Sequence, residues 1–136
     1  MKEHEWLKAV GLRLTPADLD VARSLLVAEV EHEEESQGSG DTALMRLCAA
    51  QLFVGGDLKD ISLISRARMA SQDAAGAIDA QMLCVGGIDA AIDYCTREGL
   101  DVARIAIEES RRVGDLDGFS VAGYADFLAE YYQGDG

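Results

Sequence analysis

Thr42-Ala43-Leu44-Met45-Arg46-Leu47-Cys48-Ala49-Ala50-Gln51-Leu52-Phe53-Val54-Gly55-Gly56 is the stretch on which the fold turns. Leu44, Met45, Leu47, Cys48, Leu52 and Phe53 make it apolar nearly all round at helical spacing, so Thr42–Val54 reads as a central, buried helix. Asp41 or Thr42 can cap its start, and Gly55-Gly56 ends it. Asp57 is placed to cap the next helix, expected over Leu58–Ala70.

The end of this stretch returns downstream. Ala50-Gln51-Leu52-Phe53-Val54-Gly55-Gly56 is echoed by Ala80-Gln81-Met82-Leu83-Cys84-Val85-Gly86-Gly87, with the glycine pairs 31 residues apart. At that offset Ile61 meets Ile92 and Arg66 meets Arg97. The echo predicts a second inner helix from Ser71 to about Val85, ended by Gly86-Gly87. Repeats of this length are helical hairpins that stack on their neighbours. Gln51 and Gln81 hold equivalent places in the echo, and both are expected to hydrogen-bond to neighbouring loops, because an unpaired buried amide costs about 1–3 kcal/mol.

Upstream, Thr15-Pro16-Ala17-Asp18 is a helix start with a capping hydroxyl, proline in the first turn and an acid beside the positive helix end. Leu19, Ala22, Leu26 and Val30 form one face of that helix. It runs into an acidic tract, Glu29 to Glu35, and then Gln37-Gly38-Ser39-Gly40. A short helix over His4–Val10 would turn Trp6 and Val10 inward. Downstream, Ile88–Glu98 and Leu100–Val113 read as helices separated by Gly99. Ser120 caps a last helix whose apolar stripe is Val121, Tyr124, Ala125, Leu128, Tyr131 and Tyr132. No segment alternates with period two. The expectation is an all-α chain, an irregular stack of antiparallel helical hairpins of α-solenoid-like character with six to eight helices. It is one domain, 1–136, with a short flexible loop at 37–41 and a duplicated helix–Gly-Gly–helix unit at 42–98.

The hairpin spacing resembles that of ankyrin and other α-solenoid repeats, although the T-P-L-H tetrapeptide of ankyrin is absent. Ser65-Arg66-Ala67-Arg68-Met69-Ala70-Ser71-Gln72-Asp73 followed by Ile78–Ile88 also resembles a segment of small uncharacterised bacterial all-helical proteins. That group brings no activity with it. Small acidic bacterial proteins of this kind are often immunity or inhibitor proteins for toxins, so the resemblance implies protein binding rather than catalysis.

Charge points the same way. The 136 residues carry a net charge of −13, with nine acids against four bases in 1–40, eight against five in 41–98 and eight against three in 99–136. Such a surface repels phosphate backbones and anionic membranes and favours fast association with a basic protein. The plain alternative is that acidity serves solubility. There is no apolar run long enough to span a bilayer, and Met1–Trp6 lacks the apolar region of a secretory signal. Three cysteines, Cys48, Cys84 and Cys95, lie in apolar stretches without a C-x-x-C pair, which fits reduced thiols in a cytoplasmic protein.

Catalytic and metal patterns do not assemble. His4 and His32 each sit among glutamates, but neither makes H-E-x-x-H or a two-histidine helical pair. No G-x-S-x-G, phosphate loop or EF-hand loop is present. Asp73 and Asp79, near Arg66 and Arg68, are the one carboxylate pair worth testing as an acid/base site, with an ion-pair network as the simpler reading. No catalytic residue, metal or cofactor is expected. The partner-binding candidates are Glu29, Glu31, Glu33, Glu34 and Glu35 with Tyr131 and Tyr132; the two tyrosines are adjacent, so one of them must be exposed. The expected function is an acidic module that occludes a basic toxin or enzyme. The alternative is a non-catalytic helical-repeat scaffold or a homo-oligomer.

Overall fold

The computed structural model describes residues 1–133. Eight helices follow one another: α1 Glu3–Val10, α2 Pro16–Glu35, α3 Thr42–Gly55, α4 Ile61–Arg68, α5 Gln72–Ala77, α6 Ile88–Glu98, α7 Asp101–Arg112 and α8 Val121–Gln133. Tight 3-10 turns at Leu58–Asp60 and Ala80–Leu83 lead into α4 and towards α6. No strand occurs among the described residues. The all-α class and the helix count agree with the sequence reading.

Local signals account for most boundaries. Thr15 accepts from the Asp18 amide, Asp41 from the Leu44 amide at 3.0 Å and Ser120 from the Gly123 amide at 3.0 Å, each satisfying a helix-end N–H. Gly56 ends α3 with a left-handed φ of 80°, and its N–H reaches the carbonyls of Leu52 and Phe53. A side chain there would be strained, which is why glycine closes this helix.

The core is one continuous cluster reaching from Trp6 to Tyr132, and α3 runs through its middle. Nine α3 residues, Leu44, Met45 and Leu47–Phe53, are buried. This helix packs against α1, α2, α5, the second 3-10 turn and α8. It therefore touches both the first and the last helix. Contacts are not confined to chain neighbours, as they are in a linear solenoid, and a regular side-by-side stack is not what they describe.

The two halves of the 31-residue echo have different backbones. The first is the 14-residue helix α3; the second is the six-residue α5, a break at Ile78 and a 3-10 turn. Ile78 is extended, at φ −107° and ψ 106°, and fully buried. Its carbonyl accepts from Arg68 Nε at 2.8 Å instead of from a helical amide. Gly76 weakens the helix just before it. The expected continuous helix Ser71–Val85 is thus broken, and Gly86-Gly87 follow a turn, with Gly87 opening α6. Likewise the helix expected from Leu58 begins as a 3-10 turn, where Asp57 accepts from the Lys59 amide at 3.0 Å.

The glutamine reading divides. Gln51 is fully buried and bonds to a neighbouring loop as expected, its amide donating to the Gly11 carbonyl at 2.8 Å; its Oε1 also accepts from the Trp6 indole of α1 at 2.8 Å, which was not expected. Gln81 is half-exposed on the 3-10 turn and makes no side-chain hydrogen bond among the described residues.

Cys48, Cys84 and Cys95 are free and buried. Burial pushes the Cys48 and Cys84 thiols up to about 12, so neither is a thiolate at neutral pH. Native protein at pH 8 is expected to leave both unlabelled by a thiol reagent on the timescale that labels all three in urea. Rapid native labelling of Cys48 or Cys84 would contradict the packing.

Candidate partner-binding surface

The acidic tract forms the last two turns of α2, where the helix presents unpaired carbonyls and the negative end of its dipole. The fold uses only some of these acids. Glu29 is half-buried and accepts from the Asp41 amide at 2.9 Å, which ties α2 to the start of α3. Glu34 takes Arg66 of α4 in a two-pronged pair, 3.1 Å to Nε and 2.7 Å to Nη2. That hydrogen-bonded pair holds the Glu34 carboxyl below its ordinary range.

Glu33 corrects the sequence reading. It is 1% exposed and belongs to the interior, so it cannot contact a partner. One oxygen accepts from the amides of Gly38 and Gly40 at 2.9 and 3.0 Å, and the other accepts from the Ser71 hydroxyl at 2.6 Å. The 37–41 loop, expected to be flexible, is tethered by this carboxylate and by Glu29. The loop also lies close on α2: a Cβ at Gly40 would come within 2.6 Å of the Glu29 carbonyl oxygen. The signal that points to Glu33 is the stripe Ala22, Leu26, Val30, whose next inward position is 33.

The Ser71 hydroxyl first, then the Gly40 amide and last the Gly38 amide, lower the Glu33 pKa from 4.5, against the opposing effect of burial. A carboxylate lowered on folding stabilises the native state above its unfolded pKa, and that contribution is lost as pH falls through the lower folded value. The stability gap between the parent and Glu33→Gln is therefore expected to be constant at neutral pH and to close below about pH 4.5. Urea midpoints from pH 7 down to pH 3 read this directly. A gap that does not change over the range would remove the carboxylate from the account.

Glu31 and Glu35 are exposed and make no ion pair among the described residues. With Ala28, His32, Glu34 and Arg66 they line an open depression of about 570 Å³. Like charges at positions i and i+4 at the negative end of a helix oppose helix formation. Among the described residues Glu31 and Glu35 have no hydrogen-bonding or ion-pair partner, and only the through-space charge of Arg66 acts on Glu31, whereas Glu29, Glu33 and Glu34 each have a structural partner.

Tyr131 and Tyr132 stand in a different cluster. Tyr132 is 8% exposed and Tyr131 is 53% exposed, so one faces in and one faces out, as their adjacency requires. The Arg46 guanidinium lies 4.2 Å from the Tyr131 ring centroid and donates to the Tyr132 hydroxyl at 2.9 Å. Burial first, against the Arg46 charge, pushes the Tyr132 phenol up to about 12. Asp79 joins this cluster: it accepts from the Tyr124 hydroxyl at 3.2 Å and lies 4.0 Å from Arg46 Nη2. Asp73 is exposed in the first turn of α5 and takes no part in it. The two aspartates are not brought together, and Asp79 is engaged in a structural network. Arg46 was missed as a site residue; the visible signal is the one charged side chain inside a mostly apolar helix.

Among the described residues no group of three or more His, Cys, Asp or Glu is placed to hold a metal ion. No described helix is long and apolar enough to cross a membrane. No known family model matches the chain, and no curated protein or solved structure matches it either.

Proposed function

We propose that this chain is an acidic, non-catalytic protein-binding module whose α2 end receives a basic protein partner. In this reading it is an immunity or inhibitor protein of bacterial type that occludes a toxin or enzyme in the cytoplasm. The observation that carries the proposal is the pair Glu31 and Glu35. They are exposed, make no ion pair among the described residues and are set at the helix end where negative charge is least favourable. Charge placed against local stability is a mark of function rather than of folding. The net charge of −13 adds long-range attraction for a basic surface and repulsion for nucleic acid and anionic lipid.

The test is capture of partners from the native host on immobilised protein at low and high salt. A basic protein retained at low salt and released at high salt supports the module. Its absence, together with no binding to the product of a neighbouring toxin-like gene, overturns it.

A second reading, a helical scaffold that self-associates, is favoured by one surface. Val102 and Ile105, both 56% exposed, lie on the same outward face of α7. Sedimentation over a range of concentrations separates the two readings: a stable homo-oligomer favours the scaffold, and a monomer favours the module.

A further inference from the structure

A second recognition site lies where the loop before α8 meets the second 3-10 turn. Phe119, Tyr124 and Phe127 line an open cavity of about 240 Å³ together with Asp115, Asp117 and Gln81. The rings are in mutual contact. Phe119 and Tyr124 are 5.9 Å apart between centroids and tilted by 43°; Tyr124 and Phe127 are 5.7 Å apart and stacked at 22°. Tyr124 is anchored from behind by Phe53, edge-on at 5.2 Å, and by its hydroxyl bond to Asp79. Tyr124 is therefore held in place. Phe127 is 50% exposed and stacks on Tyr124 at 5.7 Å.

The charges of this cavity are one-sided. Two carboxylates and no basic residue line it. Among the described residues the arginines that stack on rings sit on Tyr131, Tyr132 and Tyr94, so no cation is stacked on these three rings, although the Arg46 charge acts on Tyr124 through space. Aromatic faces attract cations through the ring quadrupole, and carboxylates at the rim add to that attraction. Small-molecule and cofactor sites enclose roughly 300–1,000 Å³. At about 240 Å³ the cavity falls below that range and is of a size for one side chain.

We infer that this cavity takes the side chain of a lysine or arginine presented by a protein partner. The charged head lies between the Asp115 and Asp117 carboxylates, its aliphatic stem lies on Phe127 and Phe119, and the Gln81 carbonyl is free to accept a hydrogen bond. The site is separate from the α2 end, and its test does not depend on that reading.

The experiment is an NMR titration of the full chain with three capped tripeptides, Ac-Gly-Arg-Gly-NH2, Ac-Gly-Lys-Gly-NH2 and the neutral norleucine analogue. The cationic peptides are expected to give saturable shifts centred on the Gly118 and Gly123 amides. The norleucine peptide should bind about three- to fivefold more weakly. Phe127→Ala, at a half-exposed position that the core does not need, should abolish saturation. Asp115→Asn with Asp117→Asn should bring the arginine and norleucine peptides to similar affinity. Equal binding of the neutral peptide in the parent protein would make the cavity merely apolar and overturn the assignment. Shifts scattered over the acidic surface and unaffected by Phe127→Ala, or no saturable shift in the millimolar range, would overturn it as well.

Discussion

Replacing Gln51 with leucine is expected to release α1 from the body of the protein before the rest unfolds. Among the described residues Gln51 is the only side chain that hydrogen-bonds to the α1 segment, at the Trp6 indole in mid-helix and at the Gly11 carbonyl just past its end. Leucine fills similar space but leaves a buried indole N–H and a half-buried carbonyl without partners. Each such group costs about 1–3 kcal/mol, so the two together weaken the attachment by roughly 2–6 kcal/mol. The eight residues of α1 are too few to hold a helix alone in water. Once detached, the segment frays instead of persisting as a free helix. Trp6 is the only tryptophan in the chain, so its emission reports this one contact. In the parent, tryptophan emission and helical circular dichroism are expected to change together across a urea titration. In Gln51→Leu the emission should shift red at lower urea, ahead of the loss of helix. Coincident transitions in the variant would mean that α1 is held by its apolar contacts alone.

The same contact shows what could be read from the chain alone. A glutamine in an apolar helix has few ways to be satisfied, so the need for a neighbouring loop followed from burial. The amphipathic and all-apolar helices were legible for a similar reason: their periodicity records which face is inside, and caps such as Thr15, Asp41 and Ser120 mark the starts. The break at Ile78 was not legible. It depends on Arg68, ten residues earlier, capturing the Ile78 carbonyl, and on a buried place that only the assembled core provides. Local similarity to Ala50–Gly56 therefore suggested a helix where tertiary contacts impose a turn. Acidic composition hid Glu33 in the same way. Five glutamates in seven residues read as a solvated helix end, yet the inward stripe passes through one of them. Its carboxylate finds three donors, two in the loop and the Ser71 hydroxyl that caps α5, a satisfaction that no count of charges reveals. The candidate surface was half legible: the tract was visible, but which members face outward needed the packing of α2.

That division decides how the functional proposal must be tested. Neutralising the whole tract would remove Glu33 and Glu29 and with them the anchors of the 37–41 loop, so lost binding would carry no meaning. The informative variant is Glu31→Gln, Glu34→Gln, Glu35→Gln, which leaves both anchors in place. Charge-steered encounter raises on-rates by about 10- to 1,000-fold and is strongly screened by salt. Three lost charges at the contact point, with Arg66 freed of Glu34, are expected to slow association with the basic partner about tenfold at low salt. In about 1 M salt the parent and the variant should converge, since the screening length there is about 3 Å. A control at exposed acids on other helices, Asp93→Asn, Glu98→Gln and Asp126→Asn, changes net charge equally and should slow association far less. Equal slowing in both variants would mean that the overall charge, not the α2 end, steers the partner. The stability readout runs the opposite way. Removing Glu31 and Glu35 alone relieves charge repulsion at a helix C-terminus and is expected to raise the melting temperature by about 2 °C. A variant that melts higher but associates more slowly would show that these two carboxylates are kept against the interest of the fold. One that melts lower would show that they stabilise α2, and the argument for a partner at this end would lose its main support.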